Sequence, residues 1–145
     1  MVRVMLAVAA LIFAAGLAAA QSNPIAARKA LMKANGAQAK IGAAIAKGEA
    51  PFDLEKVQTI FATFMEAAEK APALFPDNSK TGGKTEALPA IWKNKPDFEA
   101  RLAKFGADAK VAQADIKDLA AFKATWSGLI RNNCTGCHEK YVQKD

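Results

Sequence analysis

Several side chains that common functional sites require are scarce in this chain of 145 residues. It contains one histidine, His138, and two cysteines, Cys134 and Cys137. A zinc site made only of histidine and cysteine needs four such ligands, so carboxylates would have to complete it. A thioredoxin-like redox pair would open a helix within a βαβ pattern. No strand-like alternation surrounds the cysteines, which disfavours that class of protein.

The sequence has only one long apolar run. Val4–Leu17 follow the basic residue Arg3 and precede Ala18-Ala19-Ala20, a pattern typical of a cleaved secretory signal. The run of fourteen residues is shorter than the roughly 18 expected of a membrane-spanning helix. We therefore expect residues 1–20 to be a signal peptide and residues 21–145 to form one domain, without a membrane span after cleavage.

The excess of positive charge is small. Without Arg3 the chain has 19 basic and 14 acidic residues, and we expect lysines to alternate with acidic residues through every segment. A nucleic-acid-binding protein usually concentrates its positive charge on one motif. Nucleic acid is therefore not an expected partner, and most of the charges are expected to serve a solvated surface.

The motif Cys134-Thr135-Gly136-Cys137-His138 carries the chemistry of the chain. C-x-x-C-H is the attachment sequence of c-type haem. Each thiol can bond one vinyl group of the same porphyrin, and the adjacent neutral imidazole can ligate the iron. A structural disulfide or a merely buried histidine would account for only part of the pattern. The motif predicts one covalent haem c held by Cys134 and Cys137, with His138 as proximal iron ligand.

Helical periodicity and capping signals predict four amphipathic helices. They run from Asn23-Pro24 to about Lys47 before Gly48, from Asp53 to before Pro72, from Pro96, and from a turn near Asp115 to the C-terminal motif. Asparagine and aspartate are good N-caps, proline suits the first turn, and glycine ends a helix. Residues 72–89 contain three prolines and two glycines and predict an irregular crossover. The expected fold is all-α, an antiparallel four-helix bundle.

The last predicted helix contains the cysteine motif. The positions of one face, most of them apolar, continue into the motif at intervals of three or four residues: Leu119, Phe122, Trp126, Leu129 or Ile130, Asn133, Cys137 and Tyr141. Residues three and four apart lie on one face of a helix, so both cysteines and His138 should form one patch. We expect the haem to lie against this helix with its other face turned into the bundle.

The ligand on the opposite side of the iron remains open at this point. A second histidine is not available in the chain. Removal of the signal leaves Met32 and Met65, and either could also serve as core filling. A thioether is the usual partner of histidine in electron-carrying c haems. The residues alone leave Met32, Met65 and an empty position as alternatives.

Together these features resemble the cytochrome c' family, the class II c-type cytochromes. The shared features are the C-terminal C-x-x-C-H, four helices and an exported precursor. Lys47–Asp53 is similar to the family's K-G-x-x-P-[YF]-D turn, and Pro89–Trp92 to its P-x-I-W stretch. The resemblance places the residue on the distal side of the iron sixteen positions before Gly48, at Met32. It implies the low-spin, methionine-ligated branch (cytochrome c-556 type), and Met65 becomes core filling.

The resemblance also implies a role for Arg28, which matches an arginine that contacts a haem propionate in the family. The alternative is a solvent-facing arginine near a helix start. One position departs from the family pattern, because Val142 stands where a basic residue often follows the histidine by four. No role is assigned to that position.

The function expected from the sequence is periplasmic electron transfer. One haem, with His138 and Met32 as axial ligands, would exchange single electrons with redox partner proteins, with a weak preference for acidic ones, and the protein would not be an enzyme. The main alternative is a high-spin haem protein that binds nitric oxide or carbon monoxide at an open sixth position. A third is a haem-free thiol oxidoreductase. A monomer and a homodimer are both expected as oligomeric states.

Overall fold

Two long helices begin the part of the chain that the computed structural model describes, residues 23–144. Helix α1 spans Pro24–Lys47, and the side chain of Asn23 caps it by accepting a hydrogen bond from the Ala26 amide at 3.0 Å. The helix ends at Gly48, whose φ of 79° is the left-handed conformation that glycine adopts most easily. These predicted boundaries are confirmed. The signal peptide predicted for residues 1–20 lies outside the described residues.

Helix α2 spans Leu54–Lys70 and is capped by the Asp53 side chain, as predicted. A 3₁₀ turn, Ala71–Leu74, follows it directly. The crossover then continues irregularly, with a second 3₁₀ turn at Asp77–Ser79. Because Pro72 has no amide hydrogen to donate, the α-helix cannot continue through it with regular hydrogen bonds.

The third predicted helix has an unexpected addition before it. A single turn, α3 (Ala90–Lys93), precedes the main helix α4, Lys95–Asp115. Proline lies in the first turn of α4, which therefore begins one residue before the predicted start at Pro96. The short α3 coincides with the stretch similar to P-x-I-W. The Trp92 indole donates hydrogen bonds to the carbonyls of Phe75 and Pro76, which ties α3 to the crossover.

The C-terminal helix is not a regular α-helix throughout, and this corrects the sequence prediction. Helix α5 spans Leu119–Leu129, a π-helical segment spans Ile130–Thr135, and α6 spans Gly136–Tyr141. After α6 the chain is extended, and Val142 forms a β-bridge with Ala87 of the crossover. It is the one β-pairing within residues 23–144.

Four helical layers therefore form the bundle: α1, α2, α4 and the run from α5 to α6. The all-α four-helix-bundle prediction is confirmed. No helix within the described range is long and apolar enough to cross a membrane.

Two groups of buried apolar side chains fill the bundle. The bundle core lies mainly among α2, α4 and α5 and comprises Ile45, Val57, Ile60, Phe61, Phe64, Ala68, Phe105, Ala109, Ala112, Ile116, Phe122, Trp126 and Leu129. The crossover core comprises Ala71, Phe75, Ile91, Phe98, Leu102 and Tyr141. The second group packs beneath the crossover and α6, so it positions the cysteine motif.

Candidate functional site

The π-helical segment contains the first half of the cysteine motif. Cys134 and Thr135 belong to it, whereas Gly136, Cys137 and His138 begin α6. Both cysteines and His138 nevertheless line a common cavity. Cys134 packs against the bundle core and Cys137 against the crossover core. The structure therefore brings the three motif residues to one patch at the junction of the two cores.

Two adjoining cavities meet at this patch. One has a volume of about 160 Å³ and lies toward the crossover, and the other has about 190 Å³ and lies toward Phe64 and Phe105. Four residues line both of them: Met32, Leu102, Cys137 and His138. Together the cavities reach the lower end of the range for small-molecule pockets, about 300–1,000 Å³. Their walls are mostly apolar, which suits a porphyrin.

The two methionines of the described chain lie in different surroundings. Met32 lines both cavities, so it lies beside the cysteine motif although it is distant from the motif in sequence. Met65 is partly buried and packs against the bundle core, and it lines neither of these two cavities. The thioether that the cavities bring together with His138 is therefore that of Met32.

Arg28 is buried, at 4 % exposure. Its guanidinium donates hydrogen bonds to the Leu74 carbonyl at 3.1 Å, to the Ser79 hydroxyl and carbonyl, both at 2.9 Å, and to the Thr85 hydroxyl at 2.6 Å. The guanidinium carbon lies 4.7 Å from the centre of the Phe75 ring. The alternative of a solvent-facing side chain is wrong, because the crossover folds over Arg28.

The charge of Arg28 lacks a carboxylate partner among residues 23–144. Burial lowers the pKa of the guanidinium, which still remains charged near neutral pH. Isolated buried charges are costly unless they are paired. Arg28 also lines the crossover-side cavity, so a carboxylate entering that cavity would meet an unpaired cation. A haem propionate fits this position.

A second polar cluster joins α4 to α6, and the sequence analysis missed it. The carboxylate of Asp97 accepts hydrogen bonds from Arg101 and Lys140, both at 2.9 Å, and from the Tyr141 hydroxyl. Lys140, Tyr141 and Arg101, in that order, lower the pKa of Asp97 below its usual range. Because Tyr141 and Lys140 share α6 with His138, Asp97 anchors the short helix that presents the imidazole. The i,i+4 spacing of Asp97 and Arg101 was the available sequence signal.

The π-helical segment also had a detectable signal. The inward positions Leu129, Asn133, Cys137 and Tyr141, of which Cys137 is partly buried and the others are buried, are each four residues apart, a longer period than the 3.6 of an α-helix. Within the segment Asn133 donates hydrogen bonds to Asp108 at 2.8 Å and to the Leu129 carbonyl at 3.1 Å. Such single-turn π segments often occur at functional sites. Here the wider turn carries Cys134.

The two thiols are unsuited to thiol–disulfide exchange. They are not joined to each other, and both are partly buried. Burial, with a contribution from the neighbouring thiol, raises the pKa of Cys134 to about 11. Burial also raises the pKa of Cys137. Reactive cysteines have lowered pKa values in electropositive surroundings, so this environment disfavours the thiol oxidoreductase alternative.

One polar atom on the cavity wall is unpaired. The Asn35 Oδ1 atom is shielded from solvent and has no hydrogen-bond partner among the described residues, and Asn35 lines the same cavity as Cys134 and Met32. A buried acceptor without a donor is uncommon in a completed core. The unpaired Asn35 oxygen, the lack of a counter-charge for Arg28 and the apolar walls together indicate that a further group completes this region. The residues present fit a haem.

The chain is similar to known proteins over most of its length. A protein-family model described as Cytochrome C' matches residues 23–142. Cytochrome c' of Rhodopseudomonas palustris is 45% identical over 133 residues, which cover 92% of this chain and 90% of that protein. Cytochrome c-556 of Agrobacterium tumefaciens (strain B2A) is 38% identical over 117 residues, 81% of this chain and 94% of that protein. The solved structure of cytochrome c' from Rhodopseudomonas palustris superposes with a TM-score of 0.82 at 46% identity, covering 85% of this chain and 98% of that one.

Proposed function

This chain belongs to the cytochrome c' family, and we propose that it is a periplasmic electron carrier with His138 and Met32 as axial haem ligands. Proteins of this family carry covalently bound haem c and serve in electron transfer or gas binding. Relatives named cytochrome c' and cytochrome c-556 both match the chain. The choice between the two functions therefore depends on this chain's own residues.

The observation that carries the proposal is the shared lining of the two cavities by Met32 and His138. They belong to α1 and α6, so a group held between these helices could meet one side chain from each. Under this proposal Cys134 and Cys137 form the thioether bonds, and Arg28 pairs with a propionate. When bound, haem supplies an iron atom that cycles between the ferric and ferrous states by one electron.

The side chains of this site suit rapid electron exchange. With a ligand from each of two helices, the same donor atoms would hold the metal in both oxidation states, and few atoms would have to move. The walls of the site are mostly apolar, and the cluster around Asp97 holds α6 in place. No side chain is needed as an acid, a base or a nucleophile, so the proposal includes no enzymatic reaction.

Replacement of the proposed distal ligand tests the function. In Met32→Ala we expect the haem-loaded protein to change from low-spin to high-spin and to bind carbon monoxide readily, because the sixth position loses its thioether. Met65→Ala is the matched control and should leave the spectrum unchanged, because Met65 packs against the bundle core. Absorption spectra of both oxidation states, with and without carbon monoxide, provide the measurement.

Two results would contradict this assignment. A high-spin spectrum in the wild-type protein would favour gas binding, the function of the alternative branch. Loss of the low-spin spectrum in Met65→Ala but not in Met32→Ala would show that the distal ligand is Met65 on α2 and would contradict the assignment of Met32. Haem content measured as the pyridine haemochrome ensures that the variants are compared at equal loading.

A further inference from the structure

Four lysines form a row along the exposed side of α1. Lys29, Lys33, Lys40 and Lys47 are separated by four, seven and seven positions, and all four are exposed. On a helix with 3.6 residues per turn, each of these steps returns to within about 40° of the same direction. At 1.5 Å per residue the row is about 27 Å long. We call these four residues the lysine row.

Helix α1 does not balance this charge. Pro24–Lys47 contains no aspartate or glutamate, whereas α2 contains three acidic residues and α4 contains four. The expectation that lysines alternate with acidic residues through every segment is therefore wrong for α1. Within residues 23–144, Lys29, Lys33 and Lys40 take part in no ion pair, and Lys47 lies 4.0 Å from Glu49.

The lysine row begins at the haem site. Lys29 lines the crossover-side cavity together with Met32, Cys137 and His138. Its ammonium donates a hydrogen bond to the Lys84 carbonyl at 3.0 Å, which holds this end of the row against the crossover. Lys33 directly follows the proposed distal ligand in sequence. A partner that lies along the row would therefore have one end beside the site of electron exchange.

We propose that the lysine row is the docking surface for an acidic redox partner protein, an inference that rests on the electron-transfer function proposed above. The row has four positive charges, of which only that of Lys47 has an acidic neighbour, and such a row complements an acidic face and attracts it during encounter. Such attraction raises association rates by about 10- to 1,000-fold at low ionic strength. A second copy of this chain is a poor occupant, because two lysine rows facing each other would repel.

Charge reversal within the row tests the proposal. Lys33→Glu/Lys40→Glu changes two row residues that line neither cavity. The matched control, Lys110→Glu/Lys123→Glu, changes the net charge equally at two exposed lysines on α4 and α5. Each haem-loaded protein is mixed in a stopped-flow instrument with reduced flavodoxin, used as an acidic probe, and with an uncharged hydroquinone.

In the row variant we expect the rate constant with flavodoxin to fall at least about tenfold at 10 mM ionic strength, and the difference to disappear at about 300 mM as salt screens the charges. The control variant should stay within about twofold of the wild type. Rates with the hydroquinone should be the same in all three proteins. Equal slowing of both variants, or of neither, would overturn the proposal.

Two further measurements examine other occupants of the row. Sedimentation with vesicles of phosphatidylcholine and phosphatidylglycerol tests an anionic membrane surface, and sedimentation velocity tests a second copy. Row-dependent vesicle binding or dimerisation, with flavodoxin rates unaffected, would overturn the docking proposal. Failure of the wild type to react with either reductant would instead refute electron transfer itself, and the docking proposal with it.

Discussion

All six residues of the crossover core line a cavity beside His138, whereas only two of the thirteen bundle-core residues, Phe64 and Phe105, do so. Phe61, Phe64 and Phe122 are at most 1 % exposed and contact one another or Trp126 through their rings. Phe98 and Leu102 are also buried, yet they line the cavity beside His138. The chain thus fills most of the bundle core by itself and leaves the crossover core to be completed by a cofactor.

Buried polar groups follow the same division. Within residues 23–144 the buried polar residues are Arg28, Ser79 and Asn133. Arg28 and Asn133 line the cavities, and Ser79 accepts hydrogen bonds from Arg28. The bundle core consists of apolar side chains, so it stabilises the fold but offers no polar group to a ligand. The region around the cavities contains polar groups that buried positions rarely keep unless they have a partner.

Removal of the haem attachment should have the largest effect on this contrast. In Cys134→Ala/Cys137→Ala, without haem, we expect amides of α6 to exchange at least about 100-fold faster than in the haem-loaded wild type. Local stability there would no longer be supported by a bound group. Amides of α2 around Phe61 should change much less, because the bundle core needs no cofactor. Hydrogen exchange followed by mass spectrometry provides the measurement, and equal losses in α2 and α6 would contradict the division into two regions.

Overpacking the bundle core should have an intermediate effect. A Cβ atom at Gly42 would lie 2.1 Å from Cη2 of the Trp126 indole, and this ring is enclosed by the bundle core. Gly42→Ala should therefore destabilise the protein by about 1–3 kcal/mol. Gly128→Ala is the control, since nothing lies within 4 Å of the position that its Cβ atom would take, and it should be neutral or stabilising by up to about 1 kcal/mol. Urea unfolding at equal haem loading measures the free energy of unfolding of both variants. An unchanged free energy in Gly42→Ala would show that the bundle core is loosely packed.

Neutralising Asp97 should have the smallest effect. Asp97→Asn weakens the link between α4 and α6, so we expect a lower melting temperature, with a smaller decrease than in Gly42→Ala.

The effect of Asp97→Asn should depend on pH. Lys140, Tyr141 and Arg101 lower the pKa of the Asp97 carboxyl in the folded protein below its value of about 4 in the unfolded chain. The carboxylate therefore stabilises the fold above that pH, and the contribution is lost as the pH falls through the folded pKa. The difference in melting temperature between the wild type and Asp97→Asn should have its full size at pH 6 and become smaller below about pH 4. Melting curves followed by circular dichroism provide the measurement, and a difference that does not depend on pH would exclude the charge of Asp97 as its cause.

Local signals predicted the helix boundaries well. Asn23, Asp53 and Gly48 act on backbone groups only a few residues away, so their effects could be inferred without the rest of the chain. The π-helical segment and α3 were missed. Each depends on what packs against it: Asn133 bonds to Asp108 of α4, and Trp92 bonds to the crossover. A prediction made from local propensity cannot include partners that are distant in sequence.

The all-α fold and the covalent haem could be inferred from the sequence, because helix caps, apolar periodicity and C-x-x-C-H are local patterns. The residues alone left Met32 and Met65 as alternatives beside His138, and the packing of the helices brings Met32 to that cavity and buries Arg28 beneath the crossover. It also determined that the lysine row begins at the haem site. These are relations between distant segments, and packing of the helices and the crossover against one another establishes them.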